Sequence, residues 1–152
     1  KEILNQTNQN NISISIQQAI FSKDASKLQS LLEDFMLKSI STIDGANESF
    51  YHGMMLGLCA ILSNQYQIKS NRESGLGRFD IQLIPLTKEI PGFIFEFKYT
   101  KDPHIDLESL ADFALKQIEE KKYDTELLDA QVHSIVKIGI AFCGKKAVVK
   151  RS

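Results

Sequence analysis

The chain has no tryptophan, three prolines and two cysteines among its 152 residues, and no apolar run near the length that crosses a bilayer. Cys59 and Cys143 sit in apolar surroundings, GLCAIL and IGIAFC. Two isolated thiols read as buried small hydrophobes rather than as a disulfide. With no CxxC and no nearby His pair they do not make a zinc site. Apolar stretches well short of about 18 residues exclude a spanning helix. No basic segment leads into an apolar run at the start, so no export signal is expected and the expected setting is cytoplasmic. A net charge of −1 lacks the basic excess of an indiscriminate nucleic-acid binder. Gly75 and Gly77 stand outside any GxxxxGK[ST] context, so nucleotide binding by a P-loop is excluded too. There is no internal repeat, zinc finger or helix-turn-helix pattern.

What is present is the composition of a globular domain, 43% hydrophobic and 24% charged. Residues 1–14, polar and weakly patterned with NQTNQNN at 5–11, are expected to be a flexible or linker segment, and 15–152 a single domain. Residues 15–21 suit a short helix with a break at Ser22–Asp24, where Asp24 can cap the next helix. There Leu28, Leu31, Leu32, Phe35, Met36 and Ile40 form one apolar stripe. A further helix is expected from about Asn47 to Leu62, its buried side formed by Phe50, Met54, Met55, Leu58, Ile61 and Leu62. Glu48 in its first turn suits the unpaired amides there, and His52, four residues on, shares its face.

The period then changes from helical to alternating. Tyr66–Ser70, Phe79–Pro85 and Phe93–Tyr99 read as three strands of an antiparallel meander, with turns at Ser74–Gly77 and Thr87–Gly92. A helix over about Leu107–Leu128, a branched apolar strand at 134–143 and a last strand at 145–150 complete the order α-α-α-β-β-β-α-β-β. This is an α/β class, a mixed sheet flanked by helices, with the long helix as a crossover. Residues 137–152 hold Lys137, Lys145, Lys146, Lys150 and Arg151 and no acid. That basic edge can meet phosphates or simply keep the chain soluble.

Alternation puts Glu96 and Lys98 on one face of their strand, with Phe95, Phe97 and Tyr99 on the other. A hairpin closed at Thr87–Gly92 can bring Asp80 beside Glu96. Two carboxylates side by side are what a hard cation such as Mg²⁺ takes, and a lysine beside them can orient a nucleophile or offset developing charge. The spacing equally suits a solvated ladder of Asp, Glu and Lys on exposed strands. From spacing alone both readings stand.

The stretches NESFYHGMMLGL, SNRESGLGRFDI, FIFEFK, QIEEKKY and KIGIAFCGKK together resemble the PD-(D/E)XK nuclease superfamily, over residues 24 to 150. The likeness is to the type found C-terminal to an AAA-ATPase-like domain in bacterial proteins. It implies a restriction-endonuclease-like core and metal-dependent phosphodiester hydrolysis of nucleic acid, DNA before RNA, with Mg²⁺ as cofactor and Mn²⁺ able to substitute. The family's middle-strand acid then falls on Asp80, its E-x-K on Glu96-Phe97-Lys98, and its first-helix acid on Glu48, binding metal directly or through water. Gln117 matches a position close to the active site, and Tyr123 completes the QxxxxxY stretch. Phe79 stands where the superfamily carries proline. Arg78 would hold a phosphate or pair with Glu73, Arg72 borders the mouth of the site, and His52 would touch phosphate or pack against the sheet. The resemblance also implies an upstream ATPase-like partner domain; the stripes of the helices at 24–40 and 47–62 are explained by burial against the sheet, with a homodimer surface, as in endonucleases that cut both strands, as the other reading. The alternative is a nuclease-fold module that binds protein or nucleic acid without turnover.

Overall fold

The computed structural model describes residues 12, 14–39, 47–73, 78–121, 132 and 134–152. The 1–11 part of the expected linker, the turn at 74–77, the helix beyond Lys121 and Tyr123 lie outside the described residues. Helix α1 covers residues 14–22, α2 Ala25–Ser39, α3 Glu48–Ala60 and α4 Leu107–Lys121. The strands are β1 Tyr66–Glu73, β2 Arg78–Pro85, β3 Gly92–Tyr99, β4 Ile135–Cys143 and β5 Lys146–Arg151. The expected order α-α-α-β-β-β-α-β-β is the observed one. Among the described residues no helix is long and apolar enough to cross a membrane.

Local chemistry sets the boundaries. Lys23 takes a left-handed conformation (φ 61°) between α1 and α2, and the Asp24 carboxylate accepts the Lys27 amide at 3.0 Å, capping α2 as expected. Asn47 does the same for α3 through Phe50 N at 3.0 Å.

The sheet order is β1-β2-β3-β4-β5. β1–β2, β2–β3 and β4–β5 are antiparallel, while β3–β4 is parallel and bridged by α4, so β3 is the middle strand of a mixed sheet. Against one face of the sheet lie α1, α2 and α3, and the core there is aromatic and aliphatic. Phe79 stacks on Phe97 (4.5 Å between ring centres), Phe97 on Phe142, and Phe142 on Tyr51 of α3 (4.6 Å). Each fully buried Phe contributes about 1.5–3 kcal/mol of transfer free energy, so this stack is a large part of what holds the strands in register. Tyr51, whose hydroxyl donates to Gly144 O at 2.9 Å, is a core residue the helical periodicity did not single out, whereas Ile61, expected inside, is half exposed.

The other face carries α4 and a smaller cluster of Ile84, Ile94 and Ile118. Gly139 of β4 lets α4 come in very close: a Cβ there would stand 2.5 Å from Ala111 O and 2.6 Å from Leu115 N. At the β5 edge, Gln29 and Glu33 of α2 accept the amides of Val149 and Ala147, which gives partners to donors that an edge strand otherwise exposes. Both cysteines are free.

Candidate active site

Strand pairing sets Asp80 directly opposite Glu96 and Arg78 opposite Lys98. Directly opposed residues in an antiparallel pair have Cβ atoms about 4.5–5.5 Å apart. All three predicted residues lie on interior strands and are buried, Asp80 at 4%, Glu96 at 1% and Lys98 at 7% exposure. Those figures exclude the solvated-ladder reading, because an exposed edge leaves such side chains mostly in water. Their position follows from alternation: Phe79, Ile81, Phe95 and Phe97 fill the α1–α3 face, so Asp80, Gln82, Glu96 and Lys98 point to the α4 face.

The surroundings of the group are partly polar. Asn71 of β1, opposite Asp80 in the ladder, donates from Nδ2 to Asp80 Oδ1 at 3.3 Å. Lys98 Nζ sits 4.8 Å from the centre of the Phe113 ring on α4, a cation–π contact. Phe113 lies over Lys98 and Ile118 packs on Ile94, so Gln117 lies along the helix between those points, and it is buried at 9% exposure. Gln82 was not singled out from sequence, although it obeys the same alternation as Asp80 two residues before it. The amide oxygens of Gln82 and Gln117 are buried and accept no hydrogen bond from the described residues. A buried acceptor left without a donor costs about 1–3 kcal/mol, so this seam favours a cationic or hydrogen-donating occupant.

A second cluster gathers on the opposite side of the sheet, where α3 meets β1. Glu48 is buried in the first turn of α3; its Oε1 accepts no hydrogen bond from the described residues and its Oε2 lies 3.8 Å from Arg72 Nη2. Arg72 also donates to Ser49 Oγ at 3.0 Å. His52 shares a 2.6 Å hydrogen bond with Ser70 Oγ and sets its ring edge-on to Phe79. Burial first, and the Arg72 charge second, hold the His52 pKa below its ordinary 6.5. Thus Asp80, Glu96, Lys98, Gln117 and, by strand parity, Arg78 share one side, whereas Glu48, His52 and Arg72 share the other.

Among the described residues no three His, Cys, Asp or Glu side chains gather as a complete metal cage. The donor set nevertheless suits a small hard cation, which takes one or two carboxylates and completes its shell with water and substrate oxygens. Asp80 and Glu96 supply the two carboxylates, and neutral amide oxygens lie on the same face.

The basic edge is largely used within the fold. Lys137 pairs with Glu119 at 2.9 Å, Lys150 pairs with Glu108, and Arg151 donates to Lys23 O at 2.8 Å. A cavity opens elsewhere, at the carboxyl ends of β3 and β4.

A family model described as the PD-(D/E)XK nuclease superfamily matches residues 46–152. The matched span begins at α3 and includes both clusters. No curated protein matches the chain.

Proposed function

Because the chain belongs to the PD-(D/E)XK nuclease superfamily, we propose that Asp80, Glu96 and Lys98 form a metal-dependent site that hydrolyses phosphodiester bonds of nucleic acid, DNA before RNA. The observation that carries this reading is the pairing of two carboxylates at opposed positions on interior strands, both withdrawn from water, with an ammonium group on the same face.

Asp80 and Glu96 are the residues that would hold the ion, and Mg²⁺, with Mn²⁺ as substitute, fits their hard oxygens. When bound, the cation supplies Lewis-acid charge to a phosphoryl oxygen and to the attacking water. Lys98 places a positive charge where the pentavalent transition state gathers negative charge; its contact with Phe113 holds the ammonium in place, so little reorganisation is needed during reaction. Asn71, bonded to Asp80 Oδ1, fixes the orientation of that carboxylate. Gln117 offers an acceptor to a water or a donor to the nucleic-acid backbone from the helix above. Arg78, opposite Lys98, extends the positive side toward the next phosphate. Glu48, beside Arg72 and His52 on the α3 side of the sheet, belongs to the proposal as the acid that tunes the β1–β2 end. An upstream ATPase-like domain and a pair of nuclease domains are the proposed context.

The test is titration of the wild-type chain and of Asp80→Ala and Glu96→Ala with Mn²⁺, followed by calorimetry, beside cleavage of single- and double-stranded DNA. Metal binding lost in both variants together with Mg²⁺-dependent cleavage by the wild type supports the site. Metal binding that survives both substitutions removes the proposed ligands. Binding of nucleic acid with no cleavage turns the reading to a non-catalytic binding module.

A further inference from the structure

The cavity of about 820 Å³ at the carboxyl ends of β3 and β4 has no part in the chemistry proposed above. It lies beyond the parallel pair of strands, where the chain leaves β3 for α4 and turns from β4 into β5. Crevices outside the carboxyl ends of parallel strands are favoured ligand sites in α/β folds, and pockets that enclose small molecules run to about 300–1,000 Å³.

Its walls have a two-part character. Leu37, Pro103, Ile105 and Leu107 provide apolar surface, and Leu37 and Ile105 are 62% and 44% exposed. Two aliphatic side chains left in water on facing elements lose their hydration cost once an apolar body enters between them. Lys101, Lys145 and Lys146 stand on the same walls, and among the described residues no ion pair uses them. Two acids also line it, with oxygens turned to the fold: Glu33 accepts Ala147 N, and Asp106 caps α4 by accepting Glu108 N and Ser109 Oγ, so the three lysines leave the lining net positive. Three ammonium groups against two carboxylates, beside an apolar wall, favour an anion over a cation and over a plain hydrocarbon. Tyr51 closes the floor with its ring stacked on Phe142 and its hydroxyl held by Gly144 O, so the floor offers shape and no free ring face for a base.

We infer that this cavity binds a small organic anion with an apolar body, its acidic group among Lys101, Lys145 and Lys146 and its body between Leu37 and Ile105. The inference is independent of whether Asp80 and Glu96 bind metal.

The molecule carries its own reporter. Cys143 is free and half-buried on the cavity wall, whereas Cys59 is fully buried with its thiol pushed up to about 12, so alkylation of the folded chain reads Cys143. The probe is 8-anilinonaphthalene-1-sulfonate, with the uncharged N-phenyl-1-naphthylamine beside it, followed by fluorescence and by the rate of iodoacetamide labelling. One saturable site is expected, with labelling of Cys143 slowed about tenfold when the probe stands about tenfold above its Kd. The triple variant Lys101→Ala/Lys145→Ala/Lys146→Ala should bind the sulfonate about tenfold more weakly, a loss of one charge-assisted contact. Lys88→Ala, in the β2–β3 turn, should leave it unchanged, and circular dichroism checks that each variant folds. The inference is overturned by probe binding that leaves the labelling rate alone, by equal affinity for the uncharged probe, or by a triple variant that binds as well as the wild type. It is also overturned if Cys143 is already protected in a dimer seen by sedimentation, which assigns the cavity to a second copy. Protection by a short DNA duplex, with none by the sulfonate, assigns it instead to nucleic acid.

Discussion

The two faces of β2 and β3 are made by alternate residues of the same sixteen positions, and they could hardly differ more. Toward α1–α3 the strands present Phe79, Ile81, Leu83, Phe93, Phe95 and Phe97, all within 2% exposure; toward α4 they present Asp80, Gln82, Glu96 and Lys98 among isoleucines. Burying an ion costs several kcal/mol even after relaxation, and the apolar cluster on the α4 side, Ile84, Ile94 and Ile118, is small. The aromatic side offsets that cost. A strand pair that is dry and stacked on one face can carry charged groups on its other face at fixed spacing, because any slip in register would turn the phenylalanines outward.

Several substitutions separate the two faces. The largest expected effect is on chemistry: Glu96→Gln should lower Mg²⁺-dependent cleavage by about 10²–10³-fold, while urea denaturation finds the chain as stable as the wild type or more so. If Glu96→Gln unfolds the chain, the division of labour between faces is wrong. One residue along, Phe97→Ala should show the reverse, losing about 3–5 kcal/mol of stability in the same denaturation experiment. Gly139→Ala tests how the two sides are joined. Its Cβ would meet α4 backbone at 2.5 Å, so the helix must move, with an expected cost of about 1–3 kcal/mol and a shifted Gln117 and Phe113. Reduced Mn²⁺ affinity in that variant would sharpen the link between helix position and the carboxylates. The smallest effect belongs to His52, on the α3 side. Its folded pKa lies below its unfolded value of 6.5, so the unfolded chain binds more protons between the two. The contribution of His52 is therefore whole above the unfolded pKa and is lost as pH falls through the folded one. Melting of the wild type from pH 8 to pH 5 should show that extra decline, and His52→Gln should flatten it.

Much of this was legible before any coordinates. Strand alternation alone assigned Glu96 and Lys98 to one face and Phe95 and Phe97 to the other, and most described boundaries fall within a residue or two of those expected, although β1 runs three residues past Ser70. The crossover helix predicted the parallel β3–β4 step. The depth of burial was not legible: Asp80 and Glu96 have the same spacing on an exposed ladder as on an interior one, and their withdrawal from water depends on β4 beside β3 and on α4 over that face, both formed by later sequence. The division of Glu48, His52 and Arg72 from Asp80 and Glu96 also depends on which side of the sheet α3 occupies, a tertiary choice. Gln82 and Gly139 had local signals that went unused. A glutamine at an inward position of a strand buried on both faces, and a glycine inside a run of branched residues, each mark an unusual neighbour. The partners of the basic edge, Glu108 and Glu119, stand on α4, some distance along the chain.

The middle place of β3 has a further meaning for how the molecule fluctuates. Its backbone is tied on both sides, to β2 and to β4, along nearly its whole length. Amides so placed exchange with solvent only when the entire domain opens. Glu96 and Lys98 therefore lie in the last part of the chain to let go, so partial openings that fray β1 or β5 leave the E-x-K pair assembled. On heating, loss of the pair should coincide with the global transition instead of preceding it.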